Sequence, residues 1–362
     1  MSLGLLLAAG PPALAQVKAP PPPPTGGGVS WLLILGVGLV FVVVGGLFVL
    51  VLLQGKKSKG EATGTISTED RLGNYRLLNL MMTGQTSQVW EVADMSSGLH
   101  FAIKLLLPEH AKNKETRSLL FHEAEVGKEL AHPNIIRVVS VNKDEKHPHF
   151  VMDFFPGGNM KVRIQRKESD FIKQHAHNIL KQAATALAFM NTKGWVHRDI
   201  KPDNILVNSS GEVRVIDLAI AQKIKGSVGK MFGGQKGKTQ GTRSYMSPEQ
   251  IRNESLDGRA DIYSFGATAY ELVTGRPPFC GATSQDLLNK HLAEKPISPC
   301  VHNPDVTAEF GDFVLKLLSK KKEDRPNNFH EVLIAMRNIR VFKADVAKEK
   351  GDEVGEGKHE GR

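Results

Sequence analysis

The most informative stretch of this 362-residue chain is VHRDIKPDNIL, residues 196–206. It brings a carboxylate, an ammonium and an amide close together, as Asp199, Lys201 and Asn204, and Asp217 follows in an apolar run. The oxygens of Asn204 and Asp217 are hard ligands of the kind that Mg²⁺ prefers. A carboxylate can accept a hydroxyl's hydrogen bond, and an ammonium can neutralise phosphate charge. These residue types therefore suit chemistry at a phosphate group.

A second pair of charged residues stands earlier in the chain, where residues 74–151 have a strand-like pattern interrupted by one helix. Lys104 ends the apolar run FAIK, and Glu123 follows nineteen residues later in the helical stretch. A lone lysine at the end of an apolar strand usually has no special role. This spacing, however, suits an ion pair that holds the lysine against the phosphates of a nucleotide.

The run at residues 196–206 reproduces the pattern HRDxKxxN, and it resembles the catalytic loop of the eukaryotic-type protein kinase family, in particular its bacterial Ser/Thr members. Further landmarks of that family follow in order, namely Asp217, Gly241-Thr242, Ser247-Pro248-Glu249, Asp261 and Arg325. The resemblance covers residues 74–342. It implies an α+β, bilobal protein-kinase fold, with a small β-rich N-lobe and a large helical C-lobe.

The resemblance implies catalytic roles for Asp199, Lys201, Lys104 and Glu123. Asp199 would orient the attacking hydroxyl, and Lys201 would neutralise the γ-phosphate. Lys104, paired with Glu123, would hold the α- and β-phosphates. A lysine two residues after the catalytic aspartate indicates the Ser/Thr class, so the expected substrates are Ser/Thr hydroxyls of proteins.

The resemblance also implies the cofactors and the residues that surround them. ATP and Mg²⁺ are expected, with Mn²⁺ as an alternative, and Asn204 and Asp217 would be the metal ligands. The residues expected around the nucleotide are Met81, Gly84, Val89, Ala102, Lys104, Met152, Asp153, Phe155 and Leu206. The adenine would lie between Val89 and Ala102 on one side and Leu206 on the other. Met152 would be the gatekeeper, and the backbone of residues 153–155 would be the hinge.

Four further residues are expected to support the site without taking part in the chemistry. Thr242 resembles the threonine that bridges Asp199 and Lys201. Glu249 and Arg325 would form a buried ion pair in the helical lobe. Asp261 would anchor the backbone of the catalytic loop.

The sequence departs from the family pattern at four positions. In the glycine-rich loop, Met82 and Ser87 replace two of three glycines, and only Gly84 is kept. Ala219 stands where the metal-binding motif usually ends in glycine. Gly127 replaces a bulky apolar residue, which predicts a gap beneath the lysine–glutamate pair. These departures leave an alternative open: a pseudokinase scaffold that binds nucleotide or partners without efficient turnover.

Between Asp217 and Glu249 the chain is rich in glycine and lysine, as expected for a mobile activation segment. Arg198 precedes the catalytic aspartate, where its guanidinium could bind a phosphorylated residue of this segment. Ser227 and Thr239 are the candidate phosphorylation sites, and Thr239 is favoured because it lies nearer the substrate-binding end. Autophosphorylation, with a homodimer to perform it, is the expected route.

The first part of the chain predicts a membrane anchor. Residues 31–53 contain no charge and would span about 35 Å as a helix, enough to cross a hydrocarbon core of about 30 Å. Before this transmembrane helix lie a candidate signal peptide, residues 1–15, and a Pro/Gly-rich segment, residues 16–30. Cleavage after Ala15 and an unprocessed N-terminus both remain open. A linker (54–73), the kinase domain (74–342) and a charged, disordered tail (343–362) complete the predicted organisation.

Charge and cysteine content indicate where the protein works. Lys56, Lys57 and Lys59 follow the span and place the kinase domain in the cytoplasm, at the plasma membrane, by the positive-inside tendency. The net charge of +9 is spread along the chain without any nucleic-acid-binding signature, so no nucleic-acid partner is expected. Cys280 and Cys300 are the only cysteines, which excludes a disulfide framework and a cysteine-rich zinc site.

Overall fold

The computed structural model describes residues 71–224 and 241–345. These residues belong to the second of two units into which the chain divides, Gly64–Arg362, and all of the first unit, Met1–Thr63, lies outside them. Within the described ranges, no helix has both the length and the apolar character needed to cross a bilayer. The predicted signal peptide, Pro/Gly-rich segment and membrane span all fall outside these ranges.

The N-terminal lobe is built on one six-stranded antiparallel sheet. Its strands are β1 (Arg71–Leu72), β2 (Tyr75–Thr83), β3 (Ser87–Asp94), β4 (His100–Leu106), β5 (Val138–Asn142) and β6 (His149–Asp153). They are ordered β1-β2-β3-β4-β6-β5. Alternating side chains of β3 and β4 point to opposite faces, and both faces hold buried residues; Lys104 shares its face with the buried Ala102 and Leu106. The sheet thereby presents Lys104 at a fixed register, opposite Val89 and Phe150.

Helix α1 (Lys114–Glu129) packs against this sheet. It begins at the N-cap Asn113, whose side chain accepts hydrogen bonds from the backbone N–H groups of Glu115 and Thr116. A small apolar core holds the helix to strands β4 to β6 through Leu106, Leu120, Ala124, Val138 and Phe150. This packing sets the face of α1 that carries Glu123.

The C-terminal lobe is mainly helical. In the described residues its helices are α2 (Met160–Gln165), α3 (Ser169–Thr192), α4 (Pro248–Ile251), α5 (Gly258–Thr274), α6 (Ser284–Ala293), α7 (Pro299–His302), α8 (Ala308–Leu317) and α9 (Phe329–Met336). Helix α5 is buried from Ala260 to Val273 and lies at the centre of a large apolar core. A helix that is buried all round can position neighbouring loops rigidly, which matters for the loop at residues 197–204.

Two small antiparallel sheets position the loops that carry the charged residues. Strands β7 (Gly158–Asn159), β9 (Ile205–Val207) and β10 (Val213–Val215) pair in the order β10-β9-β7. Strand β8 (Trp195–Val196) pairs with β11 (Gln222–Lys223). In sequence, β9 and β10 lie between residues 197–204 and Asp217, whereas β8 precedes residues 197–204 and β11 follows Asp217. The observed architecture is the bilobal α+β fold that the sequence predicts.

Candidate active site between the lobes

The first charged cluster of the site centres on Lys104. Its Nζ lies 2.6 Å from Oε2 of Glu123 on α1 and 3.6 Å from Oδ1 of Asp217. Burial disfavours the ammonium, but these two carboxylates outweigh burial and raise the pKa of Lys104, so the side chain stays protonated. The ion pair that the spacing predicts is present, and it links the sheet, α1 and the segment that begins at Asp217.

The second charged cluster is a hydrogen-bonded triangle around Asp199. The Nζ of Lys201 donates to Oδ2 of Asp199 at 2.7 Å and to Oγ1 of Thr242 at 2.6 Å. The backbone N–H of Thr242 donates to the other carboxylate oxygen of Asp199 at 2.9 Å. Burial alone would raise the pKa of Asp199, but Lys201 and the Thr242 N–H outweigh it, so the pKa is lowered and the carboxylate stays ionised.

The buried carboxylate of Asp261 on helix α5 binds the backbone of the loop at residues 197–204. Asp261 accepts hydrogen bonds from the backbone N–H groups of His197 at 2.8 Å and Arg198 at 2.9 Å. Arg198 has a φ of 71°, a left-handed conformation that is unfavourable for a residue with a Cβ. The side-chain amide of Gln250 also donates to the Arg198 carbonyl, at 2.8 Å. These bonds keep Asp199 in place despite the strained backbone before it.

Asn204 and Asp217 are the two oxygen donors of the site. The side-chain N–H₂ of Asn204 donates to the carbonyl and to Oδ2 of Asp199, at 2.7 and 3.1 Å, so the amide orientation is fixed. The backbone N–H of Ile216 donates to the Asn204 carbonyl at 3.0 Å, which brings Asp217 beside it. Asp217 has a φ of 66° and a partly exposed side chain.

This donor set fits a Mg²⁺ ion bound together with substrate phosphates. The side-chain amide nitrogen of Asn204 is occupied by Asp199, which leaves its Oδ1 for a cation. Mg²⁺ usually takes only one or two protein ligands and completes its shell with phosphate oxygens and water. Within the described residues, no cluster of three or more His, Cys, Asp or Glu side chains could hold a metal by itself. A site of two protein oxygens agrees with that preference.

Several of the residues expected around the nucleotide lie on neighbouring strands of the N-terminal sheet. Ala102 on β4 pairs with Met152 on β6, and Val89 on β3 pairs with Lys104. Asp153 ends β6, and its backbone N–H donates to the Arg137 carbonyl at 3.0 Å. Phe155 follows in the connection between the lobes, and Leu206 lies on β9 of the C-terminal lobe. The fold thus places Val89, Ala102 and Met152 on one sheet of the N-terminal lobe and Leu206 on a sheet of the C-terminal lobe.

The glycine-poor loop between β2 and β3 forms a tight turn. The backbone N–H of Gly84 donates to the carbonyl of Ser87 at 2.8 Å. A Cβ added at Gly84 would meet only this carbonyl, at the ordinary distance of 3.4 Å. Met81 and Met82, on the strand before the turn, are 44% and 50% exposed. Nothing in the described chain requires glycine at position 84, so a strict requirement there would come from a ligand.

The gap expected beneath the ion pair at Gly127 is absent, and that expectation was wrong. A Cβ built on Gly127 would lie 2.5 Å from Cγ2 of Val138 and 3.9 Å from Cδ1 of Leu218. Val138 on β5 and Leu218 after Asp217 are both buried. The glycine therefore lets Val138 approach the helix closely, and Val138 occupies the space in which the gap was expected.

Substituting Gly127 tests this packing. We expect Gly127→Ala to lower the free energy of unfolding, because overpacking costs about 1–3 kcal/mol and exceeds the roughly 1 kcal/mol that alanine gains in helix propensity. The double variant Gly127→Ala, Val138→Ala should recover much of this loss. Urea titration of the purified chain measures both. A single variant as stable as the wild type would show that Val138 does not fill the position.

A buried ion pair joins Arg325 and Glu249 within the C-terminal lobe. Arg325 forms a bidentate hydrogen-bonded ion pair with Glu249, at 2.7 Å from Nη1 to Oε1 and 3.0 Å from Nη2 to Oε2. Its guanidinium also donates to the carbonyls of Ser319, Arg259 and Lys320. The pair expected from the sequence is present, and the three carbonyl contacts are additional.

The comparisons with known proteins agree with this geometry. Residues 75–335 match the protein kinase domain family. The chain belongs to the protein kinase family. It is 32% identical over 255 residues to serine/threonine-protein kinase PknB of Mycobacterium leprae, and equally similar to that of Mycobacterium tuberculosis. It is 30% identical over 266 residues to a probable serine/threonine-protein kinase of Streptomyces coelicolor.

These alignments cover the kinase domain and leave much of each relative unmatched. They span 69% of this chain but 40% of the two mycobacterial proteins, and 72% of this chain but 39% of the Streptomyces protein. The chain therefore matches well under half the length of these curated relatives. The bacterial Ser/Thr kinases are nonetheless the group that the sequence pattern indicated.

Two contacts of this kinase domain were not expected from the sequence. His122, next to Glu123, reaches the backbone carbonyl of Ala221 at 2.7 Å. The hydroxyl of Tyr245 donates to Oε2 of Glu271 at 2.5 Å, and Lys161 pairs with the other oxygen of that buried carboxylate. Each of these contacts joins segments that are distant in the sequence, and no sequence pattern indicates either one. The candidate phosphorylation sites Ser227 and Thr239 lie outside the described residues.

Proposed function

We propose that this protein is a protein kinase that transfers the γ-phosphate of ATP to Ser/Thr hydroxyls of proteins. The observation that carries the proposal is the hydrogen-bonded triangle of Asp199, Lys201 and Thr242. It holds an ionised carboxylate and an ammonium side by side at the cleft between the lobes. Transfer from Mg²⁺-ATP to serine or threonine by the purified full chain tests it, and labelling of tyrosine alone would contradict it.

Each charged side chain has a distinct part in the proposed reaction. Phosphoryl transfer requires mainly that the reacting groups be aligned and that negative charge be neutralised. Asp199 accepts the hydrogen bond of the attacking hydroxyl and aligns it. Lys201 neutralises charge on the transferring phosphoryl group, and Lys104, held by Glu123, binds the phosphates that stay behind.

Asn204 and Asp217 would hold the Mg²⁺ ion. When bound, this cation neutralises phosphate charge and thereby eases the departure of the leaving group. The chain's own contribution is to present two fixed oxygens. The Asn204 oxygen is fixed through the hydrogen bonds to Asp199, and the Asp217 carboxylate is drawn towards Lys104.

We place the enzyme ahead of a scaffold without turnover for two reasons. The charged side chains on which transfer depends are all retained, and Lys104 is paired with Glu123 in the described structure. Of the departures that suggested a scaffold, Gly127 is compensated by Val138. Met82, Ser87 and Ala219 remove no side chain that would contact ATP, metal or the hydroxyl.

We further propose that phosphorylation of the activation segment, by a second copy of the chain, regulates the enzyme. Arg198 supports this proposal, because its half-buried guanidinium donates to the Ile220 carbonyl at 3.3 Å while its Nε has no partner in the described residues. Burial lowers the pKa of Arg198, so a phosphate close by would be a favourable partner. Thr239 is the preferred acceptor and Ser227 the second.

Residues 31–53 are proposed to anchor the protein in the plasma membrane, with the kinase domain in the cytoplasm. The uncharged span and Lys56, Lys57 and Lys59 after it support this orientation. The reaction supports it as well, because ATP is supplied in the cytoplasm.

A protease-protection experiment tests the topology. Protease added to intact cells should leave an epitope at the end of the chain intact, and it should digest the epitope after permeabilisation. A second epitope placed before residue 31 serves as the control and should be lost from intact cells, unless processing has removed it. Digestion of the C-terminal epitope in sealed cells would contradict the proposed orientation.

A further inference from the structure

Helix α1 carries a second functional face beside the one that bears Glu123. His122 and Glu129 are seven residues apart, which places them two turns apart on the same side of a helix. His122 contacts Ala221, just before β11, and Trp195 on β8, whereas Glu129 contacts Trp195 and Lys223 on β11. This face therefore joins the N-terminal lobe to the segment on which Asp217 lies.

His122 makes the shorter of these contacts. Its Nε2 lies 2.7 Å from the carbonyl oxygen of Ala221, and because a carbonyl can only accept, Nε2 is the donor. The imidazole also packs near the indole of Trp195, with ring centroids 5.9 Å apart. Ala221 is buried at 4% exposure and His122 is half-buried, so this hydrogen bond is partly sheltered from water.

Glu129 makes the second contact at the end of the helix. The Nε1 of Trp195 donates to its carboxylate at 3.0 Å, and the Nζ of Lys223 lies 3.3 Å from the same oxygen. The Lys223 ammonium also lies 5.1 Å from the Trp195 ring centroid. Glu129 and Lys223 are largely exposed, so solvent weakens their attraction. The stronger link between α1 and this segment is therefore the one through His122.

In the segment after Asp217, two consecutive backbone carbonyls accept hydrogen bonds from side chains of two different elements. Arg198 of the catalytic loop donates to the Ile220 carbonyl, and His122 of α1 donates to that of Ala221. Asp217 has a left-handed backbone, which persists only when its surroundings hold it. The contact of His122 thus helps to fix the segment that presents a metal-binding carboxylate.

The hydrogen bond from His122 to Ala221 also fixes the position of helix α1. Successive helix residues point about 100° apart, so Glu123 faces Lys104 while His122 faces Ala221. A rotation or shift of α1 that separates His122 from Ala221 would also move Glu123 away from Lys104. Gly127 in the helix interior lowers the helix's own stability, so external contacts matter more for its position.

We propose that His122 is a positioning residue for phosphoryl transfer: its Nε2–H, bonded to the Ala221 carbonyl, sets the place of Glu123 relative to Lys104 and Asp217. This proposal rests on the proposed kinase activity. Its consequence is that α1 and the segment after Asp217 move together, so that a disturbance of either one opens the Lys104 ion pair.

A series of substitutions in the full chain separates the hydrogen bond from the packing. His122→Gln keeps an N–H donor, His122→Phe keeps a ring against Trp195, and His122→Leu keeps neither. We expect kcat/KM for phosphotransfer to fall about tenfold in the Phe and Leu variants and to stay within about threefold of the wild type in the Gln variant. Lys128→Met, on the exposed side of α1, is the matched control and should behave like the wild type.

A double-mutant cycle tests whether His122 acts through Glu123. In a Glu123→Gln background, His122→Phe should lower kcat/KM by less than about twofold, because the group that it positions is already impaired. Full additivity of the two effects would show a purely structural role and overturn the proposal. Thermal unfolding of each variant verifies that the proteins compared are folded, and Phe and Leu provide two independent donor-free forms.

The outcomes separate this inference from the proposed function. If the wild type transfers phosphate and the Gln, Phe and Leu variants are equally active, the positioning role is wrong while the kinase activity stands. If Gln loses as much as Phe and Leu, the hydrogen bond is not what matters, and the proposal is wrong as well. If the wild type transfers no phosphate, the proposed function fails, and the positioning role fails with it.

Discussion

Asp199→Asn should abolish phosphotransfer while leaving ATP binding nearly unchanged. The carboxylate of Asp199 accepts hydrogen bonds from Lys201, from the backbone of Thr242 and from Asn204, and the variant keeps the shorter bond from Asn204 to the Asp199 backbone carbonyl. Its pKa is lowered, so at neutral pH it acts as an ionised acceptor, which a neutral amide replaces poorly. A group that aligns a hydroxyl in this way contributes roughly 10²–10⁴-fold to the rate.

Two measurements on the same preparation check this expectation. Steady-state phosphotransfer should show kcat reduced by about two to four orders of magnitude, whereas the Kd for Mg²⁺-ATP should change by less than about threefold. Lys181→Met, an exposed position on α3, is a control that should leave both values unchanged. Wild-type phosphate incorporation by the Asn variant would count decisively against the role assigned to Asp199.

The largest expected loss of stability follows from removing Arg325. Its side chain is fully buried, and it is the partner of Glu249, which is only 4% exposed. Arg325→Met would leave that carboxylate, and three backbone carbonyls, without their donors. Breaking a buried pair from one side typically costs about 3–5 kcal/mol, since a buried charge is left unpaired.

Urea titration of the purified chain measures this effect as a lower midpoint of unfolding. Arg325→Lys should be intermediate, because an ammonium keeps the charge but cannot form the two-pronged contact with Glu249. Arg252→Met, at an exposed position after the helix that carries Glu249, should change stability by less than about 0.5 kcal/mol. Equal midpoints for Arg325→Met and the wild type would show that the ion pair does not stabilise the lobe.

Much of the site was predictable because its residues lie close together in sequence. Asp199, Lys201 and Asn204 fall within six positions, so their pattern limits the geometry strongly. The pair of Lys104 and Glu123 could also be inferred, because a strand followed by a packed helix brings such residues together at this spacing. The bilobal fold followed from the ordered landmarks rather than from periodicity alone.

The contacts that were not predicted depend on packing between distant segments. Whether Gly127 leaves a gap depends on how closely β5 approaches α1. The register of β5 in the sheet places the Val138 side chain against Gly127, where it fills the space. The bond from His122 to Ala221 joins residues 99 positions apart. Neither residue type carries a pattern that specifies such a partner, since histidine and alanine occur in many environments.

The measurement that tests the proposed kinase activity most directly is phosphate transfer by the purified full chain, supplied with Mg²⁺ and γ-labelled ATP. Mass spectrometry would locate the label on the chain itself and on an added mixture of protein substrates. We predict label on serine and threonine, including Thr239 or Ser227, and a rate of labelling at least about a hundredfold lower with Asp199→Asn. Saturable binding of Mg²⁺-ATP with no label on any serine or threonine would contradict it, and would indicate a scaffold that binds nucleotide without turnover.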